Sequence, residues 1–487
     1  MSCFKNIQPE ILWRHFGDLC AISRPSGYEQ AVCAHIKQFG ERLRLKTIID
    51  EVGNIIISKP ATQGMENRKG IVMQGHVDMV PQKNADTVHD FTKDPIKAYI
   101  DGEWVTAKGT TLGADNGIGV AAAMAILESK DIAHGPLEVL FTIDEESGMT
   151  GAKGLRDNVL QGEILLNMDS EEEGTLCIGC AGGVDVVVKG GYLPVKANPA
   201  YKTYLLAIRG LKGGHSGIDI ILQRANANKL MIRLLKALMP MGVELASLNG
   251  GSLRNAIPRE AFATLTIADN YMDEIAGIID AHLDIFRSEF ADVEPDLSIT
   301  LSVVNQKVAT VMPSAEISRW LDALHVSPNG VYRMSLNVEG VVETSNNLAI
   351  IAIADGSIKI ENMLRSLIDS AKEEHAEMIK GLYRLLDAEV ELKGSYPGWR
   401  PNRSSEIMKT MIKTHKELFG SEPEVEVIHA GLECGLLGST YPHWDMISFG
   451  PTIRCAHSPD EKVRISSVEN FWKYLLATLK NAPQVSR

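Results

Sequence analysis

No stretch of the 487 residues is apolar enough to cross a bilayer. One of the longest uninterrupted runs, Val120 to Leu127, falls far short of the roughly 20 residues a spanning helix needs. The start, Met1 to Asn6 followed by Ile11-Leu-Trp-Arg-His15, lacks the continuous apolar core of a signal peptide, so the chain is expected to stay in the cytosol. An excess of positive charge is missing too. Lys and Arg number 49 against 62 Asp and Glu, a formal charge of −13, and that field repels nucleic acid and anionic membranes. The seven cysteines (Cys3, Cys20, Cys33, Cys177, Cys180, Cys434, Cys455) form an odd, scattered set that suits reduced thiols better than a disulfide framework. Cys177-Ile-Gly-Cys180 has the spacing of half a zinc knuckle, but no second pair completes four thiolate ligands, which leaves a structural role. Gly117-Ile-Gly119 lacks the full glycine fingerprint and the Walker lysine of a nucleotide loop, and there is no Gly-x-Ser-x-Gly elbow of a serine hydrolase.

At roughly 100 to 200 residues per domain, the length allows two to four domains. From about residue 8 to 190, amphipathic helices alternate with short apolar strands at Lys69–Gln74, Leu137–Thr142 and Ile164–Met168, the pattern of an α/β layered domain. Each strand runs directly into histidine or acidic residues: Gly75-His-Val-Asp78, Asp144-Glu-Glu146 and Asp169-Ser170. Ligands of open α/β sheets gather beyond the carboxyl ends of strands. From Gly190 to about Lys393 the pattern changes to strand-helix-strand units, and a similar set recurs between Leu348 and Leu392, so this segment reads as an inserted domain, with duplication one reading of it. After the turn-rich Gly394-Ser-Tyr-Pro-Gly-Trp399 the chain returns to the first pattern. The expected division is 1–188 with 398–487, interrupted by 189–397.

Five sites can do chemistry: His76-Val-Asp78, Asp115-Asn116, Glu145-Glu146, Asp169 and His457. Histidines and carboxylates are borderline-to-hard ligands suited to Zn, Co or Mn, and their dispersal fits a pair of ions sharing one carboxylate. In His-x-Asp on an extended segment, residues two apart point to the same side, so Asp78 can accept the spare imidazole N–H of His76. Asp115 follows a glycine-rich turn that enters a helix near Gly117 and is the candidate bridge between ions. Adjacent Glu145 and Glu146 can divide labour, one ligating and the other taking a proton from water. Taken alone, an Asp-Glu-Glu turn is solvated decoration; occurrence together at strand ends gives it weight. His15, His35, His134, His282, His325, His375 and His415 sit on helical or connecting polar segments and are set aside, while His89, His429 and His443 stay undecided.

The assembled motifs are Gly75-His-Val-Asp-Met-Val-Pro81, Gly109-Thr-Thr-Leu-Gly-Ala-Asp-Asn-Gly-Ile-Gly119, Asp144-Glu-Glu-Ser-Gly148, Asn167-Met-Asp-Ser-Glu-Glu-Glu-Gly174, Gly213-Gly-His-Ser-Gly217, Asn255-Ala-Ile-Pro-Arg259 and His429-Ala-Gly-Leu-Glu-Cys-Gly435. Over essentially the whole chain they resemble the metallopeptidase family that contains aminoacylase, carnosinase and the bacterial dipeptidases. The resemblance implies a zinc-peptidase-like α/β/α catalytic domain with an inserted α+β lid. It implies two divalent ions, Zn first and Co or Mn as alternatives, with His76, Asp115 and Asp169 holding one and Asp115, Glu146 and His457 the other. Glu145 is then the general base, Asp78 orients His76, and His215 stabilises the oxyanion. Asn255 and Arg365 hold the substrate carboxylate, a role that suits the planar guanidinium fork. The implied substrates are dipeptides with a free N-terminus, Xaa-His and β-Ala-His among them, and acidic residues near Asp169 favour the free α-amino group. N-acyl amino acid deacylation and a non-catalytic metal-binding role are the alternatives, and a homodimer is one state the resemblance allows. Two positions depart from the commoner family pattern. Asp169 stands where many relatives have Glu, and Gly431-Leu-Glu433-Cys-Gly435 replaces an aspartate-rich motif, leaving Glu433 without a role.

Overall fold

Strands Ile71–His76, Leu137–Thr142 and Ile164–Asn167 form where short Ile-, Val- and Leu-rich runs interrupt the helical period, and all three are almost wholly buried. Ile71–His76 lies between the other two and parallel to both. His76 stands opposite Thr142 and Gln74 opposite Asn167, so the three strands end at one level. Asp445–Ser448 continues the parallel set beside Ile164–Asn167. Lys46–Ile49 and Ile55–Lys59 on one side, and Thr175–Cys180 with a strand that begins at Glu424 on the other, complete eight strands.

The computed structural model describes Phe4 and residues 6–485; Cys3 and part of the start Met1 to Asn6 lie outside the described residues. The chain forms two units, Met1–Cys180 with Trp399–Val427 and Leu432–Arg487, and Ala181–Gly398 with Ile428–Gly431. Among the described residues no helix is long and apolar enough to cross a membrane. None of the described cysteines is joined in a disulfide.

In the first unit, helix Ala114–Glu128 is buried from Ala114 to Leu127 and packs on helix Glu10–Cys20 and strand Ile71–His76. Its first turn is irregular: Asp115 and Asn116 depart from helical dihedrals, so the regular helix starts at Gly117, where the sequence places it. A Cβ at Gly119 would stand 2.8 Å from the Met168 carbonyl oxygen, so glycine there lets the helix approach the strand end next to Asp169. A separate four-stranded sheet orders Ile453–Arg454, Lys462–Arg464, Trp104–Ala107 and Ala98–Asp101. Pairing of Lys462 with Thr106 brings the loop that carries His457 to the segment leading into Asp115.

The second unit is built on one antiparallel sheet, ordered Ser298–Val303, Lys202–Arg209, Ala261–Ile267, Glu244–Gly250, Val342–Ala354, Ser357–Ser366, Gly182–Gly191 and Glu389–Tyr396, with Gly330–Met334 pairing beside Val342–Ala354. Helices Ala227–Leu238, Met272–Phe290 and Asp369–Arg384 pack on its strands. Both expected strand-helix-strand sets therefore lie in a single continuous sheet. The expected boundary at 188/189 falls inside strand Gly182–Gly191, which pairs along its length with Ser357–Ser366 and Glu389–Tyr396, so the unit begins at Ala181. A strand hydrogen-bonded on both sides cannot be divided between units without breaking its ladder.

His375 on helix Asp369–Arg384 is buried with its ring 4.2 Å from that of Tyr332, and neither ring nitrogen has a hydrogen-bond partner among the described residues. Burial pushes its pKa down to about 4 from 6.5. Below pH 6.5 the unfolded chain takes up this proton first, so the stability present above 6.5 is lost as the pH falls toward 4. His375→Phe keeps a ring and removes the titration. Its thermal midpoint is expected to fall less than that of the unaltered protein between about pH 7 and pH 5; equal falls would exclude His375 as a source of acid sensitivity.

Candidate metal centre

The ends of the three parallel strands deliver His76, Glu145 with Glu146, and Asp169 to one place, and Asp115 arrives on the irregular turn before its helix. Asp115 Oδ1 lies 3.1 Å from His76 Nε2, and its Oδ2 lies 3.1 Å from His457 Nε2. Each histidine has a second carboxylate of its own: Asp169 Oδ1 is 3.3 Å from His76 Nε2, and Glu146 Oε2 is 3.0 Å from His457 Nε2. The result is two triads that share Asp115. Ligand atoms of His76, Asp115 and Glu146 all fall within 4.8 Å of one another.

Asp78 is fully buried, with Oδ1 3.3 Å from His76 Nδ1. It also accepts the Ser26 hydroxyl at 2.7 Å and the backbone N–H groups of Glu145 at 3.1 Å and Glu146 at 3.2 Å. One carboxylate therefore orients the histidine and anchors the Glu-Glu turn. Burial alone would raise the Asp78 pKa, but the hydrogen bonds from His76, Ser26 and Glu145 hold it at about 2.

The electrostatics suit a cation. Burial raises Asp169 to about 6 and lifts Glu145 well above the usual carboxylate range, where Asp169, Glu433 and Glu146 add repulsion. Burial also raises Glu146, whose buried Oε1 has no hydrogen-bond partner among the described residues. Burial would raise Asp115 as well, but hydrogen bonds from His457 and His76 hold it well below the usual range. Hydrogen bonds to Asp115 and Glu146 raise His457 to about 11. For His76 burial works downward, and is outweighed by Asp169 and by hydrogen bonds to Asp115, Asp169 and Asp78. Five carboxyl groups, Asp78, Asp115, Glu145, Glu146 and Asp169, thus crowd two imidazoles. Imidazole nitrogen with carboxylate oxygen is a donor set that fits a borderline-to-hard divalent ion.

Residues 72–481 match the Peptidase family M20/M25/M40. The chain belongs to that family. This M20 peptidase is 48% identical over 486 residues to the cytosol non-specific dipeptidase of Escherichia coli (strain K12), covering 99% of this chain and 100% of that one. The crystal structure of aminoacylhistidine dipeptidase from Vibrio alginolyticus superposes with a TM-score of 0.92 at 47% identity over 99% of each chain. Aminopeptidase PepT from Bacillus cereus ATCC 10987, at 16% identity and a TM-score of 0.57 over 98% of this chain and 99% of that one, shares the fold alone.

The second unit of the M20 peptidase gathers its own expected residues. His215 sits on the two-residue strand Gly214–His215, opposite Ala256, and Asn255, exposed, accepts the Ser216 N–H through its carbonyl at 2.8 Å. His215 Nδ1 accepts the backbone N–H groups of Gly217 at 3.2 Å and Ile218 at 3.1 Å. The ring proton of the neutral imidazole is thereby placed on Nε2. Burial, helped by Arg365, pushes the pKa of His215 down to about 4, so the ring is neutral near pH 7. Arg365, buried on strand Ser357–Ser366, donates to the Tyr396 hydroxyl at 3.0 Å and brings Nη2 to 3.5 Å from His215 Nε2. These two nitrogens are both donors.

Several supporting residues escaped the sequence reading. Glu461, buried, accepts the N–H groups of Leu112, Gly113, Ala114 and Asp115 at 2.7–3.3 Å and so holds the turn that presents Asp115. Arg24, also buried, donates to the carbonyls of Val77, Asp78 and Gly113 and ties the His76 and Asp115 loops together. Of the undecided histidines, His429 is buried with Nε2 2.8 Å from Ser345 Oγ, and burial pushes its pKa down to about 3. His89 packs against Phe91, and His443 lies by Tyr441 and Trp444. No local motif marks Arg24, which is far from the ligands in sequence; Glu461 is four residues beyond His457, and that proximity was its only signal.

Glu461→Ala strips the acceptor from four backbone donors in the interior, each costing about 1–3 kcal/mol if left unpaired. The variant is expected to melt earlier and to retain divalent ions more weakly, measured by calorimetry and by chelator competition. Unchanged ion retention would mean that the Asp115 turn holds its shape without Glu461.

Proposed function

We propose that this M20 peptidase hydrolyses dipeptides with a free N-terminus, Xaa-His and β-Ala-His among them, using two divalent ions per chain, Zn preferred, in the cytosol. The observation that carries the two-ion reading is Asp115, one oxygen against each of two histidines that have separate second carboxylates. His76, Asp115 and Asp169 would hold one ion, and Asp115, Glu146 and His457 the other. The relatives that align along the full chain are named for dipeptide hydrolysis, which supports the substrate class.

When bound, the ions supply Lewis acidity toward the peptide carbonyl and lower the pKa of water toward neutrality. Glu145 takes the proton of the attacking water and hands it to the departing amine; burial, with repulsion from Asp169, Glu433 and Glu146, raises its pKa and makes it a stronger base than an exposed carboxylate. Asp78 keeps the His76 ring in orientation. His215, neutral with its proton on Nε2, is in the right form to donate to the oxygen that becomes negative in the transition state. Arg365 is buried, and its Nε has no hydrogen-bond partner among the described residues; a buried guanidinium with an unused donor calls for an anion. The C-terminal carboxylate of a dipeptide is that anion, with Asn255 as a further donor.

Protein stripped with chelator is expected to release no histidine from β-Ala-His or Gly-His, and to recover on addition of Zn²⁺, Co²⁺ or Mn²⁺. No cleavage with two ions verified bound would redirect the reading to N-acyl substrates. An N-acetylated dipeptide cleaved as fast as the free one would refute the requirement for a free α-amino group. Glu145→Ala is expected to keep both ions and lower kcat by about 10²–10⁴-fold, whereas His457→Ala loses one ion. Equal metal loss in the two variants would overturn the division of labour.

A further inference from the structure

Glu433 opens helix Glu433–Thr440 in the first unit, and its carboxyl is fully buried. Oε2 accepts Gln74 Nε2 at 2.6 Å and the Thr142 hydroxyl at 2.8 Å. Gln74 in turn accepts Asn167 Nδ2 at 2.5 Å through Oε1. Each of the three belongs to a different strand of the parallel set: Gln74 is two residues before His76, Asn167 two before Asp169, and Thr142 three before Glu145. Gln74 and His76 share a strand face because side chains two apart point the same way.

The same residues hold the ligand loops through their backbones. The Gln74 carbonyl accepts the N–H of Met168, the neighbour of Asp169, at 3.0 Å, and the Thr142 carbonyl accepts the N–H of Val77, between His76 and Asp78, at 2.9 Å. A continuous hydrogen-bonded path therefore runs from Glu433 to both sides of the ligand cluster without touching a ligand. Stability alone does not account for it, since burying a carboxyl is costly and an apolar side chain of similar volume is often as stable or more so.

We propose that Glu433 is a positioning residue of the metal centre, a buried strut that fixes through Gln74 and Thr142 the strand ends carrying His76, Asp169 and the Glu145-Glu146 pair. The inference rests on reading the cluster as a metal centre, and it assigns the strut to hydrogen bonding rather than to charge, because one oxygen makes both contacts. The amide oxygen of Gln can accept the same two bonds.

Zn²⁺ uptake by metal-free full-length protein, followed by competition with a chromogenic chelator, separates the two readings. No uptake by the unaltered protein would refute the metal centre itself. With uptake established, Glu433→Leu is expected to bind Zn²⁺ about tenfold more weakly, the lower end of the loss seen when groups that orient metal ligands are removed. Glu433→Gln is expected to bind as the unaltered protein does. Leu binding as tightly as Glu, or Gln losing as much as Leu, would overturn the strut. If the Leu variant does not fold, Thr142→Val removes one of the two bonds at constant volume: a several-fold weaker uptake supports the strut, and unchanged uptake overturns it.

Discussion

Asp115 is the residue on which the geometry of the ligand cluster turns. Its two oxygens face two histidines that arrive from opposite ends of the chain, His76 from the central parallel strand and His457 from a hairpin near the C-terminus. A carboxylate can span two partners in this way only if its backbone is fixed, and the fixing is done by Glu461, which accepts four successive N–H groups of the preceding turn, and by Arg24, which clasps the carbonyls on either side. Both are buried charges, tolerated because hydrogen bonds hold them in place: four backbone N–H groups on Glu461, and three carbonyls on the two terminal nitrogens of Arg24.

Around that bridge the fold concentrates groups that repel one another. Carboxyls brought from three strand ends are buried together, and their pKa values rise where burial and mutual repulsion outweigh the hydrogen bonds they accept and fall where several hydrogen bonds prevail, as the contrast between Asp169 at about 6 and Asp78 at about 2 illustrates. Such crowding is costly for the chain by itself and becomes favourable with a divalent cation, which links ion binding to the stability of the strand ends. In the second unit the imbalance is of the opposite sense: Arg365 and the Nε2–H of His215 are adjacent donors, a pairing made useful by an anionic or developing-anionic acceptor.

The strands that carry the site were legible because each is a short apolar run followed at once by His or acid: Leu137–Thr142 was placed to the residue, and Ile71–His76 and Ile164–Asn167 within a residue or two. The motif residues His76, Asp78, Asp115, Glu145, Glu146, Asp169 and His457 were legible as a set, and the structure brings all seven together. The start of the second unit was misplaced because strand Gly182–Gly191 has the same apolar texture as the strands before it, and only its pairing partners, some 170 to 200 residues later, reveal which sheet it joins. Gln74 and Thr142 gave no sign for a similar reason: a polar residue in an apolar run looks the same whether it faces water or a buried partner. Glu433 stood out as a departure from the family pattern, but no near neighbour in sequence shows what it bonds.

By itself the sequence determined the chemistry, because ligand type, the acidic pairs and the glycine turns are properties of residues and their near neighbours. Tertiary structure alone decided which oxygen faces which nitrogen, which tautomer His215 holds, and which buried side chains brace the ligands. Those depend on contacts between segments hundreds of residues apart, such as Gln74 with Glu433 or Asp115 with Glu461, and no periodicity along the chain encodes a contact of that range.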